Sequence, residues 1–207
     1  LFYSSKQSKL VTLKEYTEAM GGEQTYIYYA SGESRDRIAG LPQMEKLRGR
    51  GYDVLLFTDP VDEFLPETLR TYAGHEFKNI AAADLGLETE EEKKALEEQQ
   101  AADQALLDFV KEALDGKVSG VELSGNLGSH AVSIHPEGGV TFEMEKYFHR
   151  MNPGMDFKAG RVLELNADHP VFAALKQAKE NDEEKAKQYA ALLYDQAMLI
   201  AGMPLED

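Results

Sequence analysis

The sequence contains no cysteine, and its histidines, serines and carboxylates are the first candidates for chemistry. That composition removes thiol nucleophiles, disulfides and zinc–thiolate sites, and fits a reducing compartment. Five histidines, His75, His130, His135, His149 and His169, are scattered along the chain. His130 and His135 stand five residues apart, which puts them on opposite faces of a regular strand, and no carboxylate or third histidine has ligand spacing with them. The spacing gives no expectation of a metal site. No serine sits in a GxSxG elbow, and residue order yields neither a Ser-His-Asp set nor a carboxylate pair. Ser31-Gly32-Glu33-Ser34 has one glycine, no GxGxxG and no Lys-Ser/Thr, so it reads as a turn rather than a phosphate cradle. No catalytic residue is assigned. The rival reading is an α/β enzyme or small-ligand module using the strand ends near Ser31 to Ser34 and Asp59 to Asp62, where open α/β sheets bind ligands.

The elements behind those positions centre on Tyr52-Asp53-Val54-Leu55-Leu56-Phe57-Thr58-Asp59-Pro60-Val61-Asp62-Glu63-Phe64. Val54 to Thr58 is apolar but for Thr58, follows Gly49 and Gly51, and stops at Asp-Pro, which predicts a strand buried on both faces. Asp59 is then the N-cap of a helix, Pro60 suits its first position, and Asp62 and Glu63 favour its positive end. These carboxylates are explained locally. Upstream, Thr12-Leu13-Lys14-Glu15 is a capping box for a helix from Leu13 to Met20, ending at Gly21-Gly22. A strand follows at Tyr26 to Ala30, then a helix from Pro42 to Arg48, and a right-handed parallel crossover joins the two strands. Phe64, Leu65 and Leu69 face a further helix inward, and a third strand is expected at Glu76 to Ile80.

Composition shifts from small residues to acids between Ala81 and Glu90, which sets a boundary: residues 1–84 form an α/β unit and residues 85–207 an α+β unit. Thr89-Glu90-Glu91-Glu92 opens a helix to Leu114 whose first half is polar and stands in solvent, its apolar patch being Leu106, Leu107, Phe109, Val110 and Leu114. Strands are expected at Val118 to Leu123, Ala131 to Ile134 and Arg161 to Leu165. A helix from Val171 to Lys179 and a last one from an Asn181 N-cap to Ala201 complete the unit.

Two apolar stripes exceed what chemistry would explain. Met144, Tyr147, Phe148 and Met151 lie at i, i+3, i+4 and i+7 between glycine-bearing breaks, with Glu145, Lys146, His149 and Arg150 opposite. A stripe like this is ordinarily core. Its thioethers and rings would also adapt to many partner shapes if exposed. On the last helix, Tyr189, Leu192, Leu193, Gln196, Ala197 and Ile200 follow helical spacing, and Met198 and Leu199 widen the stripe beyond what one neighbour covers.

At 207 residues with 43% apolar side chains, the chain can bury ordinary cores. A net charge of −15, from 37 acidic against 22 basic residues, repels phosphate backbones and anionic lipid. Nucleic acid and membrane partners are therefore not expected. No apolar stretch reaches the roughly 20 residues of a bilayer span and no signal peptide opens the chain, so the expected location is cytoplasmic. Leu1 in place of Met, and an ending at Gly202-Met203-Pro204-Leu205-Glu206-Asp207, point to a fragment of a longer protein.

The pair Ile27-Tyr28-Tyr29-Ala30-Ser31-Gly32-Glu33-Ser34 and Asp53 to Phe64 resembles the middle domain of the heat-shock protein 90 chaperone family, in its bacterial form. Leu163-Glu164-Leu165-Asn166-Ala167-Asp168-His169-Pro170-Val171-Phe172 resembles that family's carboxy-terminal domain. The resemblance implies an α-β-α layered distal middle domain followed by an α+β carboxy-terminal domain with a small sheet and a helical dimerisation element, truncated before its final helix. It implies a parent that is an ATP-dependent, homodimeric chaperone, with ATP and magnesium bound by an amino-terminal domain absent here. This fragment would carry no cofactor and no enzymatic step. The family's nucleotide-facing arginine precedes a segment resembling Phe2-Tyr3-Ser4-Ser5, where this chain has only Leu1. The resemblance also implies that Met144, Tyr147, Phe148 and Met151 meet unfolded or partly folded client proteins. Tyr189, Leu192, Leu193, Gln196, Ala197 and Ile200 would meet a second copy, in a dimer weakened by the missing helix.

Overall fold

Six strands make the first sheet of the computed structural model, which describes residues 1–82, 84–154 and 157–205. They are β1 (Phe2–Ser4), β2 (Lys9–Val11), β3 (Ile27–Ser31), β4 (Val54–Phe57), β5 (Thr71–Tyr72) and β6 (His75–Asn79), in the order β2-β1-β4-β3-β6-β5. Strand β3 runs parallel to both β4 and β6, whereas β1 is antiparallel to β4. Every residue of β4 is buried, as an apolar run with helices or side chains on both faces requires. The crossover from β3 to β4 holds two helices, α2 (Arg35–Ala39) and α3 (Pro42–Gly49), where the sequence predicts one. The Ser34 hydroxyl caps α2 by accepting from the Arg37 N–H at 3.3 Å. The short β1–β2 hairpin was not legible in the sequence, because strands of three residues carry too little alternation to read.

Asp53 fastens that hairpin to the sheet. Its carboxylate accepts from the Ser4 hydroxyl at 2.5 Å, the Ser5 hydroxyl at 3.1 Å, the Lys6 N–H at 2.9 Å and the Val54 N–H at 2.8 Å. Helix α1 (Leu13–Glu18), started by the Thr12 capping box, brings Tyr16 to the same place. The Tyr16 hydroxyl donates to the Asp53 carbonyl at 2.6 Å and accepts from Gln24 Nε2 at 2.9 Å. Around this polar knot packs a core of Val11, Tyr16, Ile27, Tyr29, Leu55 and Phe57. After β4 the chain enters a 3-10 turn (Pro60–Phe64), capped by Asp59 as expected, and α3 is followed in the helical series by α4 (Leu65–Leu69).

The second sheet has three strands, β7 (Gly120–Leu123), β8 (Val132–Glu137) and β9 (Gly160–Leu165), in the order β7-β9-β8. Its registers pair Leu123, Leu165 and Val132 in one row and Val121, Leu163 and Ile134 in another, which puts an apolar face toward the helices. Those helices are α5 (Glu90–Ala113), α7 (Pro170–Asn181) and α8 (Glu183–Ile200). No residue from Glu90 to Ala102 is buried, so the polar first half of α5 is solvated as its composition requires. Helix α8 begins one residue later than its sequence reads: Asp182 is the cap, accepting from the Lys185 N–H at 3.1 Å. Asn181 ends α7 instead, its side chain donating to the Gln177 carbonyl at 2.8 Å.

The chain clusters into two compact units, Leu1–Leu85 with Phe142–Phe157, and Gly86–Thr141 with Lys158–Asp207. Composition along the chain does not mark the Phe142–Phe157 segment that clusters with the first unit. No described helix is long and apolar enough to cross a membrane.

Candidate functional site

The strand ends at Ser31 to Ser34 and Asp59 to Asp62 do meet at a cleft of about 230 Å³ in the first unit. Its lining includes Glu33, Asp59, Glu63 and Glu143, against one cation, Arg150. Four carboxylates and one guanidinium do not attract a phosphate group. Gly32 has a packing role: a Cβ there would stand 2.9 Å from Ile38 Cγ1. Burial, then the neighbouring Asp59 carboxylate, raises the Asp62 carboxyl above its ordinary range. Nothing in this arrangement pairs a nucleophile with a base.

The Met144 stripe lies on α6 (Phe142–Met151), which packs within the first unit. Tyr147 meets Phe64 of the 3-10 turn edge to face, with ring centres 5.6 Å apart, and Phe148 meets Phe157 at 5.1 Å. Glu143 and Lys146 pair on the polar side at 2.6 Å. The stripe is graded along its length. Met144, Tyr147 and Phe148 are half-buried, while Met151 at the end of the helix is 69% exposed. Three of the four stripe residues are thus partly covered within their own unit, and the fourth, Met151, is open.

Helix α8 divides its broad apolar surface in two. Ala186, Ala190, Leu193, Tyr194, Ala197 and Met198 are buried in the core of the second unit. Of the residues expected to meet a second copy, Leu193 and Ala197 therefore have their apolar surface already used. Tyr189 and Ile200 are half-buried, Gln196 is exposed, Leu192 is 64% exposed, and neighbouring Leu199 is 53% exposed. Tyr189, Leu192, Gln196 and Leu199 recur at helical spacing and form one open row.

The opposite face of the second sheet holds a cluster that spacing along the chain does not reveal. Register places Glu122, Glu164 and Ser133 side by side, and His135 one row away on the same face. His135 Nε2 lies 3.1 Å from Glu122 Oε1, and its Nδ1 lies 3.2 Å from the Pro136 carbonyl oxygen. Glu164 is 1% exposed. Burial pushes its carboxyl up to about 7, against the opposing pull of His135 and of the Ser124 and Ser133 hydroxyls. Burial lowers His135, but the Glu122 hydrogen bond and the Glu164 charge outweigh it, and the ring ends above its ordinary value. Each contributor comes from a different strand, so only strand pairing could have found the group.

A family model described as "Hsp90 protein" matches residues 1–207. The chain is 49% identical over 207 residues to "Chaperone protein HtpG" of Shouchella clausii, 46% to that of Bacillus licheniformis and 45% to that of Bacillus subtilis. In each case all of this chain is covered, but only 33% of the relative, so the chain spans about a third of the length of the curated relatives it matches.

Proposed function

The chain belongs to the Hsp90 family, and from that membership we propose that it serves as the distal middle and carboxy-terminal part of an ATP-dependent, homodimeric bacterial chaperone. In this reading nucleotide binding and hydrolysis, with magnesium, are the work of a region outside the chain. This part supplies apolar surface for unfolded or partly folded clients and for a second copy of itself. The observation that carries the reading is the pair of open apolar surfaces, Met151 at the end of α6 in the first unit and the Leu192–Leu199 row on α8 in the second.

Two measurements test it separately. The chain is expected to slow the aggregation of a chemically unfolded substrate, and Met151→Ser is expected to reduce that effect while changing stability by less than about 0.5 kcal/mol, as for other exposed sites. Unchanged suppression by Met151→Ser would remove α6 from the client surface. Self-association is expected to be weak but measurable by sedimentation at several concentrations. Leu192→Glu with Leu199→Glu should weaken it at least about tenfold, which is roughly 1.4 kcal/mol, without lowering the melting temperature. Association that persists unchanged in this double variant would place the dimer contact elsewhere.

A further inference from the structure

We propose that Glu122, His135 and Glu164 form a binding site for one divalent cation of the zinc class, held by the His135 imidazole and the two carboxylates across strands β7, β8 and β9. The donor atoms of the three residues all lie within 4.8 Å of one another. A tetrahedral shell with bonds near 2.0–2.1 Å spaces its ligand atoms about 3.3 Å apart, so small side-chain rotations close the group on an ion.

Hydrogen positions make the case stronger than proximity alone. The Pro136 carbonyl can only accept, so the Nδ1 atom 3.2 Å from it carries the ring hydrogen. A ligating histidine is oriented in this way, by donating its other N–H to a carbonyl. In the neutral ring Nε2 then presents a lone pair to Glu122 Oε1 at 3.1 Å. Two acceptors facing each other need a positive charge between them, which a ring proton or a bound cation supplies. Glu164 adds the independent observation: it is 1% exposed, and its Oε2 has no hydrogen-bond partner among the described residues. A buried carboxylate oxygen without a donor is costly to keep, and a bound cation removes that cost.

Charge and donor type select the ion. Two carboxylates balance a double positive charge, leaving a neutral group inside the fold. One imidazole nitrogen with two carboxylate oxygens suits zinc and its first-row neighbours, whereas calcium requires six to eight oxygens. Three protein ligands leave a coordination position for water. The Glu122 side chain is 35% exposed, which gives the ion a route from solvent. Bound there, the ion clips all three strands of the sheet together. The site lies within the sheet of the second unit, and the proposal does not rest on client binding or dimerisation.

The test uses the full, tag-free chain stripped with chelator and titrated with zinc chloride in a calorimeter. One equivalent is expected to bind with micromolar or tighter affinity and to raise the melting temperature. Glu164→Gln and His135→Asn should each weaken binding by about tenfold or more, at least the range seen when a mere supporting residue is lost. Glu122→Gln, at the exposed ligand, serves if either buried variant fails to fold, with circular dichroism of the metal-free protein as the check. Cobalt in place of zinc should give the strong visible absorption of a four-coordinate ion in the unsubstituted chain and lose it in the variants. Absence of saturable one-equivalent binding, as expected if the group shares only a proton, would overturn the proposal. Equal affinity in the folded variants would overturn it too.

Discussion

Asp53→Ala should destabilise the first unit by about 3–5 kcal/mol, because one substitution orphans two serine hydroxyls and removes an acceptor from two backbone N–H groups. Each unsatisfied buried donor costs about 1–3 kcal/mol, and the four do not add fully, because Lys6 and Ser5 lie near solvent and can recover water and the Val54 N–H keeps the Ser5 hydroxyl oxygen at 3.0 Å as an acceptor. The β1–β2 hairpin should be the part that detaches. Its strands are three residues long, and only Tyr3 and Ser4 pair with β4. Urea denaturation followed by far-ultraviolet circular dichroism is the suitable measurement, since the chain has no tryptophan. A loss below about 1 kcal/mol would mean that strand pairing holds the hairpin without the carboxylate.

The second large effect contrasts two neighbours on α8. Leu193→Ala empties a core site that is 4% exposed, and is expected to cost about 2–5 kcal/mol. Leu192→Ala, one residue earlier and 64% exposed, should change stability by no more than about 0.5 kcal/mol. The same denaturation experiment checks both. Comparable losses from the two substitutions would mean that Leu192 is already covered by a partner at the working concentration, and dilution would then separate them.

That contrast also marks how far the residues could be read unaided. The apolar period of α8 locates the helix and shows that its stripe is wide. It does not say which edge the sheet takes, because Leu192 and Leu193 have the same hydrophobicity and differ by about 100° around the axis. Strand β4 was legible from its apolar run and its glycine and Asp-Pro borders, and α1 and α5 from their capping boxes. The hairpin β1–β2 and helix α2 were not, since elements of three to five residues hold less than two periods of pattern. In β9 the alternation of Leu163, Glu164 and Leu165 assigns the glutamate a face but not a lid over that face. Its burial, and its meeting with His135 and Glu122, depend on registers between strands separated by up to about forty residues. Local sequence contains no such information.

The path of the backbone has a practical outcome for anyone dissecting this protein. Residues 142–157 leave the second unit after β8, pack with the first, and come back to supply β9. No single scissile position can therefore yield two intact halves. A clone beginning after residue 85 would keep Tyr147 but lose the Phe64 ring against which it rests, turning a partly shielded aromatic into a sticky one. Excised in that way, the carboxy-terminal piece would owe some of its adhesiveness to the scissors, and binding assays on it would overstate what the uncut polypeptide offers.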